Sequence, residues 1–128
     1  MRSRKEFRIW VANEPGTLWR ICDALQKNGI NIRTIAGIAG QDILAVVTDQ
    51  DDETREVFKK LRLTFAEFEL IVLRVTNMPG EIAFFAKKLS DFKINIDSVY
   101  MLGESKGKGE MAFAVDDVER AKQVLGLL

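Results

Sequence analysis

Apolar and polar residues change period repeatedly along this chain, and each change marks a short element. Phe7 to Val11 alternates apolar and other residues, the two-residue repeat of a strand with one buried face. Pro15-Gly16 then punctuates the chain, and proline is tolerated in a first helical turn. Leu18, Ile21, Cys22 and Leu25 follow at the i, i+3, i+4, i+7 spacing of a helix with one apolar stripe. Asn28-Gly29 ends that helix, glycine being suited to a left-handed cap. Ile30 to Ile38 reads as a second strand, Gly40-Gln41-Asp42 as a turn, and Ile43 to Thr48 as a third strand. Asp51 or Asp52 is placed to cap a second helix, with Val57, Phe58 and Leu61 facing inward. Leu63 to Phe68 is a fourth strand.

The pattern then begins again. Leu70 to Thr76 reads as a strand, and Glu81 to Phe92 as a helix with Ile82, Phe85, Ala86 and Leu89 inward. Ile94 to Leu102 and Met111 to Val115 form a hairpin across a glycine-rich loop from Gly103 to Gly109. Asp116 or Asp117 caps a last helix carrying Val118, Ala121, Val124 and Leu125. The return is a true repeat. Pro15 and Pro79, the only two prolines, lie 64 positions apart. The same offset lays Leu18 on Ile82, Ile21 on Phe85, Leu25 on Leu89, and Ile30-Asn31-Ile32 on Ile94-Asn95-Ile96.

Two tandem units are therefore expected, at residues 6–68 and 69–128, of βαββαβ and βαββα order. The fold class is α+β: a ferredoxin-like sandwich in each unit, two helices on one face of an antiparallel sheet, the second unit lacking its last strand. That lack would leave the strand from Ile71 to Val75 with an open row of backbone donors and acceptors. Pairing with the other unit or with a second chain is the expected remedy, and a homodimer is the simplest closed form.

Composition narrows the function. Nineteen basic and nineteen acidic residues leave no net charge, so nothing draws the chain onto a phosphate backbone. There is no histidine, the usual acid–base group near neutral pH, and the single cysteine, Cys22, forms neither an internal disulfide nor a zinc cluster. Cys22 reads as a small core residue. No apolar run has the length of a membrane span, and no signal-peptide core follows the basic start from Met1 to Arg8. A non-enzymatic protein of the reducing cytoplasm, without metal or cofactor, is expected.

Asn13-Glu14-Pro15-Gly16-Thr17-Leu18 followed by Asn28-Gly29-Ile30-Asn31-Ile32 resembles the ACT domain, a ligand-binding module of amino-acid metabolism. Asn77-Met78-Pro79-Gly80-Glu81-Ile82 and Lys93-Ile94-Asn95-Ile96 repeat the resemblance in the second copy, and short stand-alone proteins with two ACT units are the nearest subgroup. The resemblance implies an amino-acid site where the first loop of one unit meets a neighbouring unit, and an enzyme partner in amino-acid metabolism. It places the ligand-holding asparagines at Asn13 and Asn31, and at Asn77 and Asn95. Glu14, Pro15, Gly16, Thr17, Leu18, Ile32, Met78 and Gly80 complete the candidate set. Serine-sensing members carry a histidine four positions before the proline; Val11 and Val75 stand there, which speaks against serine.

The chemistry of the loop suits a small zwitterion on its own terms. First-turn amides of a helix are unsatisfied and carry positive partial charge, and an asparagine amide both donates and accepts. Gly16 lets a ligand approach the backbone. Glu81, which stands where the first copy has Thr17, would repel a ligand carboxylate, so the first copy is the favoured site. Plainer readings stand beside these. Asn13 can simply tie down a turn, Asn31 and Asn95 can be strand-start residues, and Trp10, Trp19 and Phe84 fall off the apolar stripes as interface residues. The alternatives to sensing are a structural or adaptor protein with no ligand, an acylphosphatase-like enzyme, and an RNA-binding βαββαβ domain. The enzyme would need an arginine in the first loop, which has none, and Arg20 and Arg33 are unpatterned. RNA binding would need aromatics where Lys108 to Val115 carries Glu110 and Ala112.

Overall fold

The chain in its computed structural model, which describes residues 4–38, 40–76 and 80–127, runs β1 (Arg4–Trp10), α1 (Thr17–Lys27), β2 (Ile32–Gly37), β3 (Ile43–Thr48), α2 (Asp51–Lys60) and β4 (Thr64–Thr76). It continues with α3 (Glu81–Asp91), β5 (Ile96–Ser105), β6 (Lys108–Val115) and α4 (Val118–Val124). Residues 2–68 and 69–128 form two compact units, with β4 running from one into the other. Nothing between Phe65 and Val75 is glycine or proline, and the two strands read from the sequence are accordingly one strand of 13 residues.

In the first unit the strand order is β2-β3-β1-β4, all described pairings being antiparallel. Phe7 lies opposite Val46 and Ile9 opposite Leu44, so alternate residues of both strands share one face. That face packs against Ile21 and Leu25 of α1 and Val57 and Phe58 of α2. Phe7, Phe58 and Phe65 meet at the centre with ring centroids 5.5 to 5.9 Å apart. The second unit has the order β4-β6-β5. Ile71 lies opposite Phe113 and Leu73 opposite Met111, and they pack with Leu89 of α3 and Ala121 of α4.

The repeat extends to how helices end. The Ile30 amide bonds to the Leu25 carbonyl at 3.0 Å, and the Ile94 amide to the Leu89 carbonyl at 3.0 Å, both reaching back across a left-handed residue. That residue is Gly29 (φ 69°) in the first unit and Lys93 (φ 58°) in the second. Other details differ from the sequence pattern. The cap of α2 is Gln50, with no side-chain bond, while Asp51 and Asp52 sit in the first turn, where they complement the helix dipole. Asp117 does cap α4, accepting from the Arg120 amide at 3.1 Å. The loop from Gly103 to Gly109 is mostly strand: β5 and β6 run on to a two-residue turn at Lys106-Gly107, both at positive φ, whose twist suits a tight hairpin. Leu61 stands outside the core because it caps the end of α2.

Ion pairs fasten the second helix of each unit to β4. Arg55 grips Glu67 with two bonds, Nε to Oε2 at 2.7 Å and Nη2 to Oε1 at 2.6 Å, and Lys122 meets Glu69 at 2.8 Å. The hydrogen bond from Arg55 holds the Glu67 carboxyl below its usual range against a smaller upward push from burial. A depressed acid stabilises the fold above its unfolded pKa of about 4.3, and that contribution is lost as pH falls through the lower folded value. Both side chains are partly exposed, so solvent screening keeps the pair's contribution small. Glu67→Gln should thus lower the urea midpoint slightly at pH 7. The gap from wild type should close as unfolding is repeated toward pH 3; a gap that widened in acid would contradict this account.

Candidate functional site

The loop from β1 into α1 is built on a type II turn. The Thr17 amide bonds to the Glu14 carbonyl at 3.3 Å, with Pro15 and Gly16 as the central pair and Gly16 at φ 91°, ψ −14°. Gly16 is thus the helix N-cap and Pro15 precedes it, rather than lying in the first turn. A Cβ on Gly16 would meet nothing within 4 Å, so the glycine is required by its backbone angle and not by crowding. Gly80, at φ 90° before α3, repeats the conformation. Gly16 has no side chain to cap α1 and among the described residues no other side chain does so, which leaves the Leu18 and Trp19 amides their outward positive ends.

A cleft of about 430 Å³ opens beside this elbow, entirely within the first unit. Four of the expected residues line it: Asn13, Glu14, Thr17 and Leu18. Pro15 and Gly16 shape the turn without lining the cleft. The Thr17 hydroxyl is committed inward, donating to the Ala12 carbonyl at 3.0 Å. Asn13 is exposed, and among the described residues its side chain makes no hydrogen bond. The amide is therefore not tying down the turn. Leu18, read as core from its spacing, is 53% exposed: it occupies the first turn of α1, beyond the packing made by Ile21 and Leu25. Ile82 is exposed in the same way in α3.

Sequence reasoning missed the opposite wall, made by Ile35, Gly37 and Ile38 at the end of β2 and by Gln41, Ile43 and Leu44 at the start of β3. The signal that could have found them is strand direction. β3 runs antiparallel to β1, so its start lies beside the end of β1: Ile43 is opposite Trp10, and the Val11 amide bonds to the Asp42 carbonyl at 3.1 Å.

Asn31 and Ile32 belong elsewhere. They line a separate depression of about 510 Å³ with Cys22, Gln26, Gly29 and Ile30. Ile32 pairs with Thr48, at the far end of the six-residue strand whose near end borders the cleft. At about 3.4 Å per residue, β3 keeps the two ends about 17 Å apart, too far for one small ligand to touch both asparagines within the unit. Asn31 donates to Asp49 at 3.3 Å, and Asp49 is also paired with Arg4 at 3.1 Å. Burial raises the Asp49 carboxyl, but bonds from Arg4 and Asn31 and the charge of Arg33 outweigh it and leave it lowered. Cys22 is half-buried, and burial pushes its thiol up, away from the reactive thiolate.

The second elbow differs in chemistry. Asn77, Met78 and Pro79 lie outside the described residues. At positions matching Ala12 and Thr17, the Thr76 hydroxyl donates to the Glu81 carboxylate, so the start of α3 already holds an internal anion. Met101 stands where the first unit has Gly37. Asn95 is engaged locally, donating to Asp97 at 2.8 Å while its own amide bonds to Asp116 at 3.0 Å. Among the described residues, no group of three His, Cys, Asp or Glu is placed to hold a metal ion, and no helix is long and apolar enough to cross a membrane.

Two ferredoxin-like units in tandem, each opening its first helix on a left-handed glycine, define the class. The family model described as "ACT domain pair" matches residues 3–127, and the chain belongs to that family. Its fold is similar to that of a protein from Bacteroides thetaiotaomicron, at 21% identity and TM-score 0.84, over 97% of this chain and 87% of the other. It is also similar to the ligand-free regulatory subunit of aspartate kinase from Thermus thermophilus, at 16% identity and TM-score 0.64, over 97% and 90% of the two chains. Aspartokinase III of E. coli, solved with lysine and aspartate, shares 15% identity at TM-score 0.59; the match covers 97% of this chain and 30% of that one. No curated protein matches the chain in sequence.

Proposed function

We propose that this chain is a non-catalytic regulatory protein that binds an amino acid at the first elbow and passes that occupancy to an enzyme or regulator of amino-acid metabolism. The carrying observation is the cleft in which Asn13 presents an unengaged amide beside the open amides of α1 and the carboxylate of Glu14. A zwitterion has the complementary groups: its carboxylate suits the amides, and its ammonium suits Glu14. The structural similarity to a subunit named as regulatory supports an output through a partner enzyme.

The magnitudes require a cover. Micromolar affinity needs about 8 kcal/mol. Each hydrogen bond to a charged group gives about 1.5–3 kcal/mol, and a helix terminus about 0.3–1 kcal/mol. Water in an open cleft erodes all of these. In this reading a second copy of the chain covers the cleft and brings its Asn31 and Ile32 to the ligand, which the 17 Å separation within one unit forbids. Trp19, 67% exposed beside Leu18, is the natural contact. The ligand then stabilises the homodimer by its differential affinity for the covered state. At the second elbow, turned at Gly80, Glu81 stands in the place of a ligand, while Asn95 serves its own strand start through Asp97 and Asp116. The cytoplasm is the proposed location.

Both tryptophans, Trp10 and Trp19, flank the elbow, so intrinsic fluorescence reports on it directly. Titration of the full chain with each of the twenty amino acids should give a fluorescence change and heat for a subset. Sedimentation should show a shift toward dimer with the same ligands. Asn13→Ala should weaken binding about 10- to 150-fold, the equivalent of 1.5–3 kcal/mol. Silence with all twenty at millimolar concentration, beside an unaffected dimer, would leave the adaptor reading, which the local bonding of Asn31 and Asn95 favours.

A further inference from the structure

We infer that the first-unit cleft selects an amino acid with an uncharged aliphatic side chain, of the size of valine to leucine or methionine; this rests on the amino-acid-binding reading above. The lining separates into two chemical halves. Asn13, Glu14 and Gln41 supply the polar groups left over once the Thr17 hydroxyl is committed to the Ala12 carbonyl. The rest is hydrocarbon, from Leu18 of α1, Ile35 of β2, Ile38 just after it, and Ile43 and Leu44 of β3. A cleft of this kind orients a ligand by a few polar groups and holds it by apolar surface.

Charge decides against the other classes. Among the described residues no lysine or arginine lines the cleft, so a side-chain carboxylate would meet Glu14 with nothing to balance it. The single carboxylate can satisfy one ammonium group, and the α-ammonium of any amino acid claims it. A lysine or arginine ligand would leave its second cation against Ile35 and Leu44. Burying an unpaired charge in hydrocarbon is far costlier than burying a methyl group.

Gly37 sets the size of the apolar half. Its backbone is ordinary strand, so no unusual angle demands glycine. A Cβ there would come within 3.2 Å of Leu44 Cδ1, crowding one wall of the cleft. The second unit carries Met101 at the matching position and Glu81 at the matching helix start, so the inference is confined to the first unit.

Calorimetric titration of the full chain with alanine, valine, leucine, methionine, serine, aspartate and lysine tests this. Each buried methylene should strengthen binding about 4-fold, so leucine should exceed alanine by about 50-fold, with aspartate and lysine weaker than alanine. Gly37→Val should cost leucine at least tenfold and alanine little. Ile38 is 72% exposed, so Ile38→Lys is expected to fold, and it should weaken leucine while admitting aspartate. Aspartate, lysine or serine binding tighter than leucine would overturn the aliphatic assignment and leave amino-acid sensing standing. No heat with any of the twenty amino acids would overturn the sensing reading and this inference together.

Discussion

Phe58→Ala is expected to destabilise the first unit by about 3–5 kcal/mol, the usual cost of emptying a fully buried aromatic site. Phe58 is completely buried and lies between Phe7 of β1 and Phe65 of β4, at 5.5 and 5.7 Å between ring centroids. Its removal would leave a void bounded by two strands that are fixed by their hydrogen-bonded register, so the surroundings have little freedom to collapse. With a urea slope of about 1–3 kcal/mol per molar, the midpoint should fall by about 1 M or more. Phe58→Leu, which keeps most of the volume, should recover most of the loss. A midpoint unchanged in Phe58→Ala would mean that α2 does not pack on the sheet as described.

Leu25→Ala and Leu89→Ala should each cost about 2–5 kcal/mol, whereas Leu18→Ala should stay within about 0.5 kcal/mol of wild type. Leu25 and Leu89 occupy matching positions of the repeat, and both are fully buried. Leu18 shares the stripe of Leu25 by spacing but lines the cleft and is half exposed. On the proposed function, Leu18→Ala should therefore weaken ligand binding several-fold with the fold intact. Urea unfolding of the three variants, read beside ligand titration of Leu18→Ala, separates the two roles. Equal destabilisation by Leu18→Ala and Leu25→Ala would return Leu18 to the core and empty the cleft argument of one wall.

The contrast between the two elbows shows how one backbone solution accommodates different chemistry. Both use a left-handed glycine before the helix. In the first, a hydroxyl at the helix start donates back to a backbone carbonyl; in the second, a carboxylate at the same position accepts from a hydroxyl. Each ties strand end to helix start across five residues. The first arrangement puts no charge of its own at the start of its helix, whereas the second already carries a carboxylate there.

Much of this was legible in the residues alone, and the reason is periodicity. Strand and helix repeats, the Pro-Gly elbow, the Asn28-Gly29 stop and the 64-residue offset are local properties, and local sterics and hydrogen bonding enforce them wherever the chain folds. They were enough for the tandem ferredoxin-like architecture and for grouping Asn13, Glu14, Thr17 and Leu18, which line one cleft. What the local pattern could not decide is which distant segments share an end of the sheet. Strand pairing set Ile43 beside Trp10 and Ile32 beside Thr48, and so brought Ile35, Gly37 and Gln41 to Asn13 while carrying Asn31 about 17 Å away. Burial was decided there too: Leu18 and Leu25 are indistinguishable on a helical stripe, and only the point where the sheet stops beneath the helix makes one core and the other cleft.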